Sequence, residues 1–137
     1  IIKKYINNIK DCGKTSNETS PQCINRTQFP TVYKTYNGKN SVPTAYFDDG
    51  EFLLNDGTLL FIENHEGRLF FSVDINGFSK KPNRLGKDLF MFQVLEGSGD
   101  LVPMGNSGTN YPKETYCSDS STNNMNGAGC TAVVLAK

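Results

Sequence analysis

Val73-Asp-Ile-Asn-Gly-Phe-Ser-Lys-Lys-Pro-Asn-Arg-Leu-Gly-Lys-Asp-Leu-Phe-Met-Phe-Gln-Val94 reads as one strand running out, an ordered polar loop, and a second strand running back. On the outgoing strand Leu69, Phe71, Val73 and Ile75 share one face while Ser72 and Asp74 lie on the other, the period-two alternation of a half-buried strand. Phe90, Phe92 and Val94 repeat the pattern on the return. Between the strands, the Asp74, Asn76, Gly77 cluster and the Pro82, Asn83, Gly86 cluster punctuate the loop, because Asn and Asp bond their own backbone and Gly reaches positive φ. The expectation is the middle of a sheet whose apolar face needs cover.

Working outward, short apolar runs alternate with tight turns from Ala45 to Val102. Glu51 to Leu54, Thr58 to Glu63 and Arg68 to Ile75 are separated by Asn55-Asp56-Gly57 and His65-Glu66-Gly67. Asp-Gly between apolar runs is a strong hairpin signal. Asp88 to Leu95, the Gly97-Ser98-Gly99 turn and Asp100 to Val102 continue an antiparallel meander. The final run Thr131-Ala-Val-Val-Leu-Ala136 is expected to be a last strand.

At the front of the chain Ile2, Tyr5, Ile6 and Ile9 fall at i, i+3, i+4 and i+7, with Lys3, Lys4, Asn7 and Lys10 turned away. This predicts an amphipathic helix ended by Gly13, and an α+β fold with that helix packed on the antiparallel β-sheet. The stripe starts at once, without a capping residue, so the chain is expected to begin inside a longer helix. The segments 13–44 and 103–130 are turn-rich and polar.

Cys12, Cys23, Cys117 and Cys130 form two close pairs near the two ends. Three pairings can be drawn; the sequential one (Cys12 with Cys23, Cys117 with Cys130) closes two short loops and needs the least topology. Each loop would contribute about 3 kcal/mol by the chain-entropy relation. Neither pair has zinc-ligand spacing and the one histidine, His65, is far from both. Disulfides imply an oxidising, extracytoplasmic compartment. With no secretory signal in view, an N-terminal portion is expected to have been removed.

In 137 residues, Lys plus Arg equals Asp plus Glu at 14 each, so no basic field exists to gather phosphates, and nucleic acid is not an expected partner. The length suits one domain that buries roughly two-thirds of its unfolded surface. No run reaches the ~18 apolar residues of a membrane span, which predicts a soluble domain. Asn17-Glu-Thr and Asn25-Arg-Thr match the N-glycosylation pattern, which Asn- and Thr-rich loops also produce by chance.

Catalytic constellations are missing. His65 has no Ser or Cys nucleophile beside it, Asp48 and Asp49 are adjacent instead of facing across a substrate, and no phosphate-cradling loop is present. An enzyme is not expected, and no cofactor is implied. Asp74, Asn76 and Asp88 bring hard oxygen ligands to the mouth of the central loop and form a candidate calcium site. Against it, Gly77 stands at the fourth loop position where an EF-hand wants the sixth, and Leu85 stands at the twelfth instead of Glu. Capping of backbone groups in consecutive Asx-type turns is the preferred reading.

Taken together, the Asp56-Gly57-Thr58 hairpin, the Val73 to Val94 segment, Gly99-Asp-Leu-Val-Pro-Met-Gly105, and Cys117 with Gly127-Ala-Gly-Cys-Thr-Ala132 resemble bacterial type IV pilin-like proteins, including the pseudopilins of type II secretion systems. The resemblance covers roughly residues 50 to 132. It implies a single head domain over 1–137, with 1–12 the second half of a longer helix, 13–44 a loop, 45–102 the meander and 103–137 a disulfide-bounded C-terminal region. It further implies a structural filament subunit anchored in the inner membrane by the missing helix before assembly and assembling through that N-terminal helix, with homologous pilin or pseudopilin subunits as partners and the long loops decorating the outside. The alternative is a secreted monomeric ligand-binding or adhesive module, with or without calcium. A pilin-type leader on the full reading frame favours the first, a conventional signal peptide the second.

Overall fold

The computed structural model describes residues 9–17 and 21–137. Its frame is one six-stranded sheet of β1 (Lys10–Gly13), β2 (Gly50–Leu53), β3 (Leu59–His65), β4 (Arg68–Asp74), β5 (Leu89–Val94) and β6 (Leu101–Pro103), in that spatial order. Every pairing is antiparallel. The expected meander is therefore present, extended by one edge strand at its front.

Local chemistry explains the turns. At the β2–β3 turn the Leu54 N–H bonds the Thr58 carbonyl at 2.9 Å and the Asp56 carboxylate accepts the Thr58 N–H at 3.0 Å. At the β3–β4 turn Glu66 and Gly67 both have positive φ, 52° and 83°, the two-residue geometry whose twist matches the flanking strands.

The expected α+β fold, a helix laid on the sheet, is corrected. Most of the predicted helix falls on residues 1–8, outside the described residues, and from Lys10 the chain is the edge strand β1. Among the described residues the α-helices are α1 (Phe29–Val32), α2 (Lys113–Tyr116) and α3 (Cys130–Leu135), of four, four and six residues. The covering layer over the sheet's inner face is coil instead. The segment 14–49 contributes Ile24, Phe29, Tyr33, Val42 and Phe47, and the segment 104–129 contributes Met104, Met125 and Ala128, to one core with Leu59, Phe61, Phe70, Leu89 and Met91. Phe29 anchors it, with ring centroids 4.7 Å from Tyr33, 5.1 Å from Phe47 and 5.5 Å from Phe61. Two segments expected to decorate the outside thus carry much of the interior.

The alternation is where it was expected, but the faces are exchanged. Phe70, Ser72, Asp74, Leu89, Met91 and Gln93 are buried, whereas Leu69, Phe71, Val73, Phe90, Phe92 and Val94 are only half-buried. Polar groups can occupy the inner face because the coil brings their partners. Asp74 receives the Tyr33 hydroxyl at 2.5 Å, Glu51 receives the Ile24 N–H at 2.7 Å, and Gln93 exchanges two hydrogen bonds with Asn110, at 3.0 and 2.8 Å. A buried polar group so paired avoids the desolvation cost that would otherwise exclude it.

The last apolar run is also corrected, from strand to helix α3. Along β5 the outer edge is already taken: β6 pairs with Phe92 to Val94, the Met104 N–H bonds the Met91 carbonyl at 2.9 Å, and the Thr131 hydroxyl accepts the Met91 N–H at 3.0 Å. No edge is left there for a seventh strand. Both expected disulfides are formed, Cys12–Cys23 and Cys117–Cys130, with Cα separations of 6.4 and 4.9 Å.

Candidate functional site

The central loop, residues 75–88, is held by two carboxylates. Asp74 Oδ1 accepts the N–H groups of Asn76 and Gly77 at 3.2 and 3.1 Å. Asp88 accepts those of Asn83 and Arg84 at 2.8 and 2.7 Å. Burial pushes the Asp74 carboxyl up, against the opposing pull of the Tyr33 hydroxyl and the two amides, and Asp88 adds to the rise. Of the three residues named as calcium candidates, Asp74 ends β4 while Asn76 and Asp88 lie in the loop that follows, and the two carboxylates act as backbone caps. The carboxamide oxygens of Asn76 and Asn83 are buried and accept no hydrogen bond from the described residues.

Behind this loop stands a feature that spacing alone did not reveal. Gly127, at φ 113°, lies so close to the Leu85 carbonyl that a Cβ there would sit 2.1 Å from that oxygen. A Cβ on Gly86 would sit 2.8 Å from the Cβ of Cys130. The glycines of the C-terminal motif thus let the disulfide-bounded segment press against the return of the central loop. Their signal in the sequence was the Gly-Ala-Gly-Cys run itself.

The outer face of the sheet carries an apolar stripe. Ile62 stands opposite Phe71 and Phe71 opposite Phe92; Leu60 pairs with Val73 and Val73 with Phe90; Leu69 pairs with Val94. All of these side chains are apolar and half-buried. At one end, Val73, Ile75, Phe90 and Phe92 meet Val134 and Leu135 of α3 around a wholly apolar groove of about 250 Å³. Ile75 is 57 % exposed and Leu135 59 %. Contiguous apolar surface of this kind marks interaction sites on folded proteins, whereas scattered exposed apolar residues do not.

His65 closes β3 with its ring 4.9 Å from Tyr46, and 3.8 Å separates its Nδ1 from Glu63 Oε2. Tyr111 packs 4.9 Å from Tyr116 and 6.1 Å from Phe70. Burial pushes the Tyr111 hydroxyl well up, helped by the neighbouring tyrosines. The expectation of a surface histidine in a turn is thus refined to a partly exposed side chain at a strand end.

Two disulfides point to an oxidising, extracytoplasmic environment. No helix among the described residues is long and apolar enough to cross a membrane. No family model, curated protein or solved structure matches the chain.

Proposed function

We propose that this protein is a structural subunit of an extracytoplasmic filament, of the type IV pilus or type II secretion pseudopilus kind, and that it assembles by burying the outer face of its sheet. The observation that carries the reading is the apolar surface running over β3, β4 and β5 into the groove bordered by Ile75 and Leu135. Fully burying an exposed apolar side chain contributes about 1.5–3 kcal/mol; Ile75 and Leu135, more than half exposed, have most of that still to gain, and the half-buried side chains beside them a smaller share each.

The edges of the sheet are less suited to that task. β1 has four residues with a register shift between Asp11 and Gly13, and β6 has three residues ending at Pro103. Short, irregular or proline-bearing edges discourage strand addition. Among the described residues, the face is the better route for assembly. The resemblance of residues 50 to 132 to pilin-like proteins supports the same class of partner, other subunits of the same kind.

The test is in the source cell, with the full-length gene product. Cross-linking and shearing should recover the subunit in a high-molecular-weight filament fraction. Phe92→Asp should empty that fraction while the purified domain keeps its circular dichroism and both disulfides. Recovery of the unaltered protein solely as a free extracytoplasmic monomer would count for the ligand-binding alternative and against this reading.

A further inference from the structure

Where the coil 14–49 turns into β2, three acids converge on the end of β3. Ligand oxygens of Asp48, Asp49 and Glu63 all lie within 4.8 Å of one another, and Glu63 is only 6 % exposed. The acids also hold backbone. The Asp48 N–H donates to Glu63 Oε1 at 3.3 Å, the Asn64 N–H to Asp49 Oδ2 at 2.7 Å, and the Asp49 N–H to the Ile62 carbonyl at 2.9 Å. Carboxylates this close oppose one another's ionisation, which raises the pKa of at least one of them.

We propose that a proton shared between Glu63 and Asp48 latches the 44–49 corner onto the end of β3, and that losing this proton releases the corner. The groups facing Glu63 favour that balance. From the coil come Asp48, Asp49 and the Tyr46 side chain, with Arg26 Nη1 3.2 Å from Asp48 Oδ2. From β3 itself comes His65, from β4 the uncharged partner Phe70, and from the segment 104–129 the hydroxyl of Tyr111. The Asp48 N–H favours the ionised form; burial and the two aspartates favour the neutral one. Burial first, then the hydrogen bond between the Glu63 and Asp48 side chains, pushes the Glu63 carboxyl up to about 8, against the pull of the Asp48 N–H. Release would lift Tyr46, whose ring covers His65 and lies 6.3 Å from Tyr111, and would uncover that aromatic group in mildly alkaline surroundings.

Amide hydrogen exchange on the disulfide-intact chain, corrected for the intrinsic pH dependence of exchange, tests this. Protection of residues 46–49 should fall about tenfold between pH 7 and 9, most of it below pH 8, since a proton-linked opening grows by up to tenfold per pH unit between the ordinary glutamate range and the folded value and levels off above it. Amides of β4 and β5 should stay unchanged, and Glu63→Gln should hold the corner's protection flat. Should that variant fail to fold, Asp48→Asn provides the second arm: removing the neighbouring charge should move the wild-type transition to lower pH. A wild-type corner whose protection is flat over the range, or a transition unmoved in both variants, overturns the proposal.

Discussion

The hydroxyl of Tyr33 donates to Asp74 Oδ2 at 2.5 Å, so a residue of the covering coil completes the hydrogen bonding of a carboxylate at the end of β4. The same carboxylate caps the start of the central loop through the Asn76 and Gly77 amides. One side chain thereby fastens together the sheet, its cover and its loop.

Removing the two partners should have unequal costs. Tyr33→Phe keeps the ring packed against Phe29 and deletes one hydrogen bond, which should cost about 1–3 kcal/mol. Asp74→Ala strands the hydroxyl and two amides, and should cost more, on the order of 3–5 kcal/mol. Urea denaturation of both variants at pH 7 checks the order; equal losses would mean that Asp74 does no capping.

Stability should depend on pH through Glu51. It is fully buried on the inner face, and burial pushes its carboxyl up to about 7, against hydrogen bonds from the Ile24 amide and Thr15 hydroxyl. The neutral acid is thus the favoured folded form. Its contribution is complete below the ordinary glutamate range and is lost as pH rises through about 7. The slope should reach about 1.4 kcal/mol per pH unit at most. Glu51→Gln, which retains the acceptor for Ile24, should make denaturation midpoints fall less steeply between pH 5 and 7, the slope that remains there and up to about pH 8 belonging to Glu63.

Glycine substitutions should separate close approach from exposed turn. Gly127→Ala forces a Cβ to within 2.1 Å of the Leu85 carbonyl at positive φ, and should cost at least about 3 kcal/mol by backbone displacement. Gly97→Ala meets nothing within 4 Å and has no positive φ, so it should be neutral within about 0.5 kcal/mol. Thermal unfolding of the two variants side by side is sufficient.

Chelation should leave the fold unchanged. Both oxygens of Asp74 and of Asp88 accept protein donors, so the central loop is expected to hold its shape by capping alone. Melting temperature in EDTA and in millimolar calcium should agree within about 1 °C. A rise of several degrees with calcium would show that the folded chain binds the cation, against the capping reading.

The sequence by itself determined the local features of this protein: the period-two runs, the Asp-Gly and Glu-Gly hairpins, the strand order of the meander and the pairing of neighbouring cysteines. Each depends on residues close along the chain, whose geometry is set by φ preferences, turn chemistry and short loop closure. The stripe of Leu69, Phe71, Val73, Phe90, Phe92 and Val94 was legible in the same way, which is why the candidate assembly surface could be read as one apolar set. Which face the core would take was not legible, because it depends on where distant coil docks. Only the tertiary structure brings Phe29, Tyr33 and Phe47 over Phe61 and Phe70, and supplies partners for Asp74, Glu51 and Gln93 on the more polar side. The acids Asp48, Asp49 and Glu63 likewise meet only once β2 and β3 have paired. Burial is decided by what covers a surface and satisfies its polar groups, and alternation along a strand specifies two faces without saying which one is inside.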